Sequence, residues 1–157
     1  MAASKAKRKR IVKQKEQPKG RQIKRDGLSE AYYSLRPSWN FHTCDKKMWP
    51  LDEVHAKAVF WKEIFPHLQG WETTTWSSIL VTNKKHNHSL DVSTLNKIAV
   101  DRLNELEIEV DSLVSLTLSG THRLYGYIVD AVFYVLWYDD NHGDNATCVC
   151  RSHKKHT

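Results

Sequence analysis

The sequence predicts an α+β domain: an N-terminal strand and helices packed on one face of a C-terminal antiparallel sheet of three to four strands. Three observations predict it. Apolar residues recur at helical spacing in two segments before residue 107, and from Val114 the apolar period shortens to two. Helical and extended patterns are also segregated along the chain, as expected for helices layered on a sheet. A parallel nucleotide-binding sheet would alternate them, and the sequence has no glycine-rich phosphate loop to support one.

Each element follows from local chemistry. Residues 38–43 alternate polar and aromatic side chains and read as a short strand. Asp52 can cap a helix to about Phe65, whose stripe is Val54, Ala58, Trp61 and Phe65; Pro66 and Gly70 end it. Thr75 opens a short helical turn through Trp76, Ile79 and Leu80, and residues 83–88 are a polar loop. A second helix spans about 93–107, with Leu95, Ile98, Ala99, Leu103 and Leu106 on its apolar face. Val114, Leu116 and Leu118 mark one strand, and Leu124, Gly126 and Ile128 a second. Residues 129–131 form a turn. Residues 132–138 are apolar on both faces, as in a central strand covered twice. Residues 139–145 are a loop, and residues 146–152 supply a fourth strand.

Charge divides the chain. Its 157 residues carry a net +6, but residues 1–25 hold 11 Lys/Arg and one acid, a net +10. Residues 26–157 hold 13 basic and 17 acidic residues, a net −4. We therefore read 1–25 as a disordered basic tail, 26–37 as a linker and 38–157 as the folded domain. Lys7, Arg8, Lys9 and Arg10 are the densest part of an arm suited to RNA phosphates. The longest apolar run is eight residues, far short of the roughly 20 that cross a membrane. No apolar segment follows the basic N-terminus, and three cysteines give no disulfide framework, so a cytoplasmic setting without membrane contact is expected.

Several groups carry candidate chemistry. With Leu124, Gly126 and Ile128 toward the helices, Arg123, Tyr125 and Tyr127 face the other way, a guanidinium for phosphate and two phenols for base stacking. The same pattern suits a half-exposed strand. His142, in the loop after the central strand, is placed for proton transfer, although a solvated turn fits the loop equally. Arg151, His153, Lys154, Lys155 and His156 form a cationic end that could stabilise phosphate charge. Cys148, Cys150, His153 and His156 are competent zinc ligands, but a structural zinc site normally has two separated pairs, so no metal or other cofactor is expected. No serine or cysteine hydrolase motif is present.

Residues 111–142, with Leu-x-Leu-x-Gly-x-x-Arg at 116–123 and an apolar strand closing near His142, resemble the C-terminal half of RelE/ParE-like toxins. The chain also resembles uncharacterised bacterial and mobile-element proteins that share a Pro37-Ser38-Trp39 start and a Phe-Tyr-Val-Leu-Trp…His block. The first resemblance implies a toxin-type endoribonuclease, ribosome-dependent, in which the substrate's 2′-hydroxyl attacks the adjacent phosphate. It implies Arg123 on that phosphate, His142 or His156 in proton transfer, Lys154 and Lys155 as closing basic residues, and an antitoxin as partner. Two alternatives stay open: a non-catalytic RNA- or ribosome-binding protein, and a ParE-like inhibitor of a protein target.

Overall fold

The computed structural model describes residues 32–52, 58–143 and 147–150. The basic tail, with Lys7 to Arg10, and the C-terminal cluster of Arg151, His153, Lys154, Lys155 and His156 lie outside the described residues.

Five strands form one sheet: β1 Ser38–Asn40, β2 His88–Asp91, β3 Ser112–Thr117, β4 Arg123–Val129 and β5 Val132–Asp139. Their order is β1-β5-β4-β3-β2. The class is α+β, and β3, β4 and β5 make the antiparallel meander that the period-two pattern predicts. Two features differ from expectation. β1 pairs parallel with β5, which makes the sheet mixed; the long chain between them allows that crossover. β2 begins at the last residue of the expected polar loop, covers residues that the sequence pattern assigns to no element, and pairs antiparallel with β3, from His88 opposite Ser115 to Asp91 opposite Ser112. Buried Asn87 sets its entry, donating to Ile79 O at 3.4 Å and accepting from Thr117 N at 2.9 Å. The expected fourth meander strand is represented among the described residues by a single bridge, Cys150 to Leu95.

Residues 58 and 59 are already helical, and the first helical segment continues through a π-helical turn, Phe60–Ile64, into α1, Phe65–Glu72. It runs through both expected stops. The π-helical turn resets the register so that Pro66 falls in the first turn of α1, where its missing N–H is not needed. A second π-helical turn, Ser78–Thr82, brings Ile79 into the core. α2, Lys97–Glu105, is capped by Asn96, whose Oδ1 accepts from Ile98 N.

Helices cover both faces of the sheet rather than one. Ile64, Leu68, Trp76 and Ile79 pack with Val114, Leu116, Leu124, Ile128, Phe133 and Val135. Leu95, Ala99 and Leu103 pack on the other face, with Leu113, Tyr125, Leu136 and Trp137. Each leucine so buried contributes roughly 1.5–3 kcal/mol. β5 therefore feeds two cores, as its two-sided apolar sequence requires. A bulge shapes it: Tyr125 pairs with Trp137 and Gly126 with Val135, leaving Leu136 as the extra residue. The carbonyl of Leu136, left out of the ladder, accepts from Asp45 N at 2.9 Å.

Left-handed residues sit where turns demand them. Asp130 (φ 50°) and Ala131 (φ 66°) form the two-residue loop between β4 and β5, the geometry of a type I′ hairpin. The Ala131 carbonyl is held by Trp76 Nε1 at 2.9 Å and Ser38 N at 3.3 Å. At the end of α2, Glu107 N donates to Asn104 O and Ile108 N to Leu103 O, a Schellman motif with exposed Glu107 at the αL position (φ 56°). Glycine is favoured there, so Glu107→Gly is expected to stabilise the fold by about 0.5–1 kcal/mol, read as a higher urea midpoint. A lower midpoint would contradict the motif.

Candidate functional site

The start of β4 and the end of β5 close one end of the sheet, with Arg123 opposite Asp139. Two loops are tied together there. His142 N donates to Thr121 O at 3.0 Å, and Thr121 Oγ1 donates to Asp140 O at 2.6 Å. Gly120 (φ 46°) provides the sharp turn before His122. Strand alternation then sends neighbouring side chains to opposite faces.

On the α1 face lies a carboxylate–imidazole pair. Glu63 Oε2 is 2.8 Å from His122 Nδ1, and Tyr138 OH is 3.0 Å from the same nitrogen. Ser119 Oγ donates to the other carboxylate oxygen, Oε1. A carboxylate only accepts, so Nδ1 carries the proton and Nε2 is left as the basic nitrogen, an assignment drawn from the hydrogen-bond network. The His122 side chain is 30% exposed and that of Glu63 15%, so the pair is anchored yet reachable. Burial, and then the charge of Glu63, raise the Tyr138 phenol pKa.

The other face holds Arg123, Tyr125, Asp139, His142 and two thiols. Tyr125 OH lies 3.2 Å from His142 Nδ1, and Cys150 Sγ lies 3.4 Å from it. Asp139 is buried and accepts from Asn141 N at 2.9 Å and Val149 N at 2.8 Å. Burial pushes its carboxyl pKa up despite those donors. Burial, and then the charge of Arg123, lower that of His88. His88 Nδ1 and Ser115 Oγ are buried without hydrogen-bond partners among the described residues.

The sequence-derived candidates are placed as follows. Arg123 and His142 both lie at this end, but the row of Arg123, Tyr125 and Tyr127 is not an open face. Tyr125 is fully buried beneath α2 and offers no ring to a base. Tyr127 is half-buried and stacks on Tyr134, with centroids 5.2 Å apart and rings 3° from parallel. The row would be open only if α2 shared the face of α1, and α2 covers the other face instead. The Arg123 guanidinium curls back on its own loop, donating from Nη1 to Gly120 O at 2.7 Å and His122 O at 2.9 Å.

Glu63, Ser119, His122 and Tyr138 escaped the sequence reading. His122 stands beside Arg123, and that adjacency was the available signal; no spacing rule joins residue 63 to residue 122. A cavity of about 350 Å³ lined by Phe41, Cys44, Leu51 and Phe60 contains no imidazole. Among the described residues, no three His, Cys, Asp or Glu side chains are arranged to hold a metal ion, and no helix is long and apolar enough to cross a membrane. No family model matches the chain, and no curated protein or solved structure matches it.

Proposed function

We propose that the chain is a toxin-type endoribonuclease that cleaves RNA through the substrate's own 2′-hydroxyl. The observation that carries this reading is the Glu63–His122 pair, which engages His122 through Nδ1 and leaves Nε2 as the base on a side chain that is 30% exposed. Glu63 is a positioning residue, fixing the tautomer and stabilising the imidazolium that forms. Nε2 takes the 2′-hydroxyl proton. The 2′-oxygen–phosphorus bond then forms, the bond to the 5′-oxygen breaks, and a 2′,3′-cyclic phosphate is left. The leaving oxygen is protonated by His142, which reaches the same sheet end from the opposite face, or by water. Arg123 stabilises the phosphate charge with guanidinium N–H groups not used on the Gly120 and His122 carbonyls. The basic tail draws in RNA or the ribosome, and an antitoxin covering this end is the implied protein partner.

A second reading, a non-catalytic RNA- or ribosome-binding protein, is favoured by the two backbone carbonyls that already engage Arg123. Incubating the full chain with single-stranded RNA and with ribosome-bound message separates the two. The nuclease reading expects fragments ending in cyclic phosphate, at rates that fall roughly 10- to 100-fold in Glu63→Gln with a shifted pH–rate profile. Intact RNA that is retained by the protein, and released when residues 1–25 are removed, selects the binding reading.

A further inference from the structure

We propose that Cys148 and Cys150 form a dithiol site that reacts with low-molecular-weight disulfides and closes into an intramolecular disulfide. The two sulfurs stand 3.3 Å apart, both free, on a segment fixed from several sides. Trp49 Nε1 donates to Thr147 O at 2.8 Å, and Asn96 Nδ2 donates to Cys148 O at 3.3 Å. Asn96 N donates to Val149 O at 2.9 Å, and Val149 N donates to Asp139 Oδ2 at 2.8 Å. Bond formation requires the sulfurs to close from 3.3 Å to about 2.05 Å. Cys44 packs with the opposite core, across the sheet, and is not a competing partner.

The two thiols have different environments and so different roles. Cys150 is half-exposed, and its sulfur lies 3.4 Å from His142 Nδ1. That nitrogen is flanked by Cys150 Sγ and the Tyr125 hydroxyl, both able to donate, so it is placed to take the Cys150 proton. Cys148 is buried and directs its S–H at Cys150 O, 2.8 Å away. Burial pushes its thiol pKa up to about 11, which suits the second step rather than the first.

With glutathione disulfide as oxidant, the Cys150 thiolate attacks one sulfur. The glutathione S–S bond breaks, and one glutathione leaves with the electron pair and is protonated. Cys148 then loses its proton to solvent and attacks the Cys150 sulfur, releasing the second glutathione. Two protein thiols are oxidised and one glutathione disulfide is reduced to two thiols. The Cys150 S–H beside His142 disappears in the process.

The test uses the full reduced chain in buffers of reduced and oxidised glutathione, quenched by alkylation and read by peptide mass. The expected result is joint loss of two of the three thiols, mapped to Cys148 and Cys150, with the protein monomeric. Cys148→Ser should trap glutathione on Cys150, and Cys150→Ser should leave Cys148 unmodified. Three free thiols throughout, pairing through Cys44, or disulfide-linked dimers would each overturn the proposal, and the wild-type thiol map decides the matter even if a variant fails to fold.

Discussion

Asp45→Ala is expected to cost about 3–5 kcal/mol of folding stability, enough to unfold a domain of ordinary stability. The Asp45 side chain is fully buried and forms a two-pronged pair with Arg102, Nε to Oδ2 and Nη2 to Oδ1, both at 2.7 Å. Trp137 Nε1 donates to Oδ2 at 3.1 Å, and the backbone N–H groups of Lys47 and Met48 donate to Oδ1 at 2.9 and 3.3 Å. Truncation leaves a guanidinium and three N–H donors without their acceptor. Arg102 also meets Glu105 at 2.7 Å but is only 12% exposed, so water replaces little of the loss.

The same carboxylate sets acid sensitivity. Burial opposes its ionisation, but Arg102 and the N–H donors outweigh burial and hold its pKa at about 2, against an ordinary 3.8. Its stabilising contribution is therefore present above pH 3.8 and is lost as pH falls toward 2, by roughly 2 to 3 kcal/mol. Asp139, with its pKa raised, works in the reverse sense and is common to both proteins compared. Urea midpoints of the wild type and Asp45→Asn should converge between pH 4 and 2. A constant gap across that range would contradict the assignment.

Gly126→Ala should cost about 3 kcal/mol or more, at the upper end of overpacking penalties. A Cβ at Gly126 would stand 2.1 Å from Tyr134 O and 2.8 Å from two ring atoms of Phe133. The nearest atom is backbone of β5, and Phe133 is fully buried in the first core, so neither can move aside cheaply. Gly126 also adjoins the bulge that directs Leu136 and Trp137 into the second core. Denaturation of the variant by urea, followed by tryptophan fluorescence, measures the loss; a cost below about 1 kcal/mol would show that β4 and β5 are not held this closely.

Much of this architecture is legible in residue order. The period-two pattern from Val114 to Tyr138 specifies the meander, and the apolar run of β5 specifies burial on both sides. What is not legible is which helix covers which face. Leu95, Ala99 and Leu103 define a stripe, but no local rule tells whether that stripe meets Val114 or Leu113, neighbours on opposite sides of β3. Because α2 takes the second face, Tyr125 lies in a core rather than on an open face. β2 escaped because His88-Ser89-Leu90-Asp91 carries one apolar side chain and is a strand only through its pairing with β3. Arg123 and His142 share one sheet end because both flank strands of a single hairpin. Glu63 reaches that end from a helical segment 59 residues before His122, a pairing no local pattern reveals.

In the proposed reaction His122 is the base that the Glu63 carboxylate orients. The most direct test compares RNA cleavage rates of the wild type and His122→Ala at equal folded concentration, confirmed by circular dichroism. The account predicts cyclic-phosphate products from the wild type and a rate lower by roughly 10²- to 10⁴-fold in the variant. Equal rates, or intact RNA with both proteins, would contradict it.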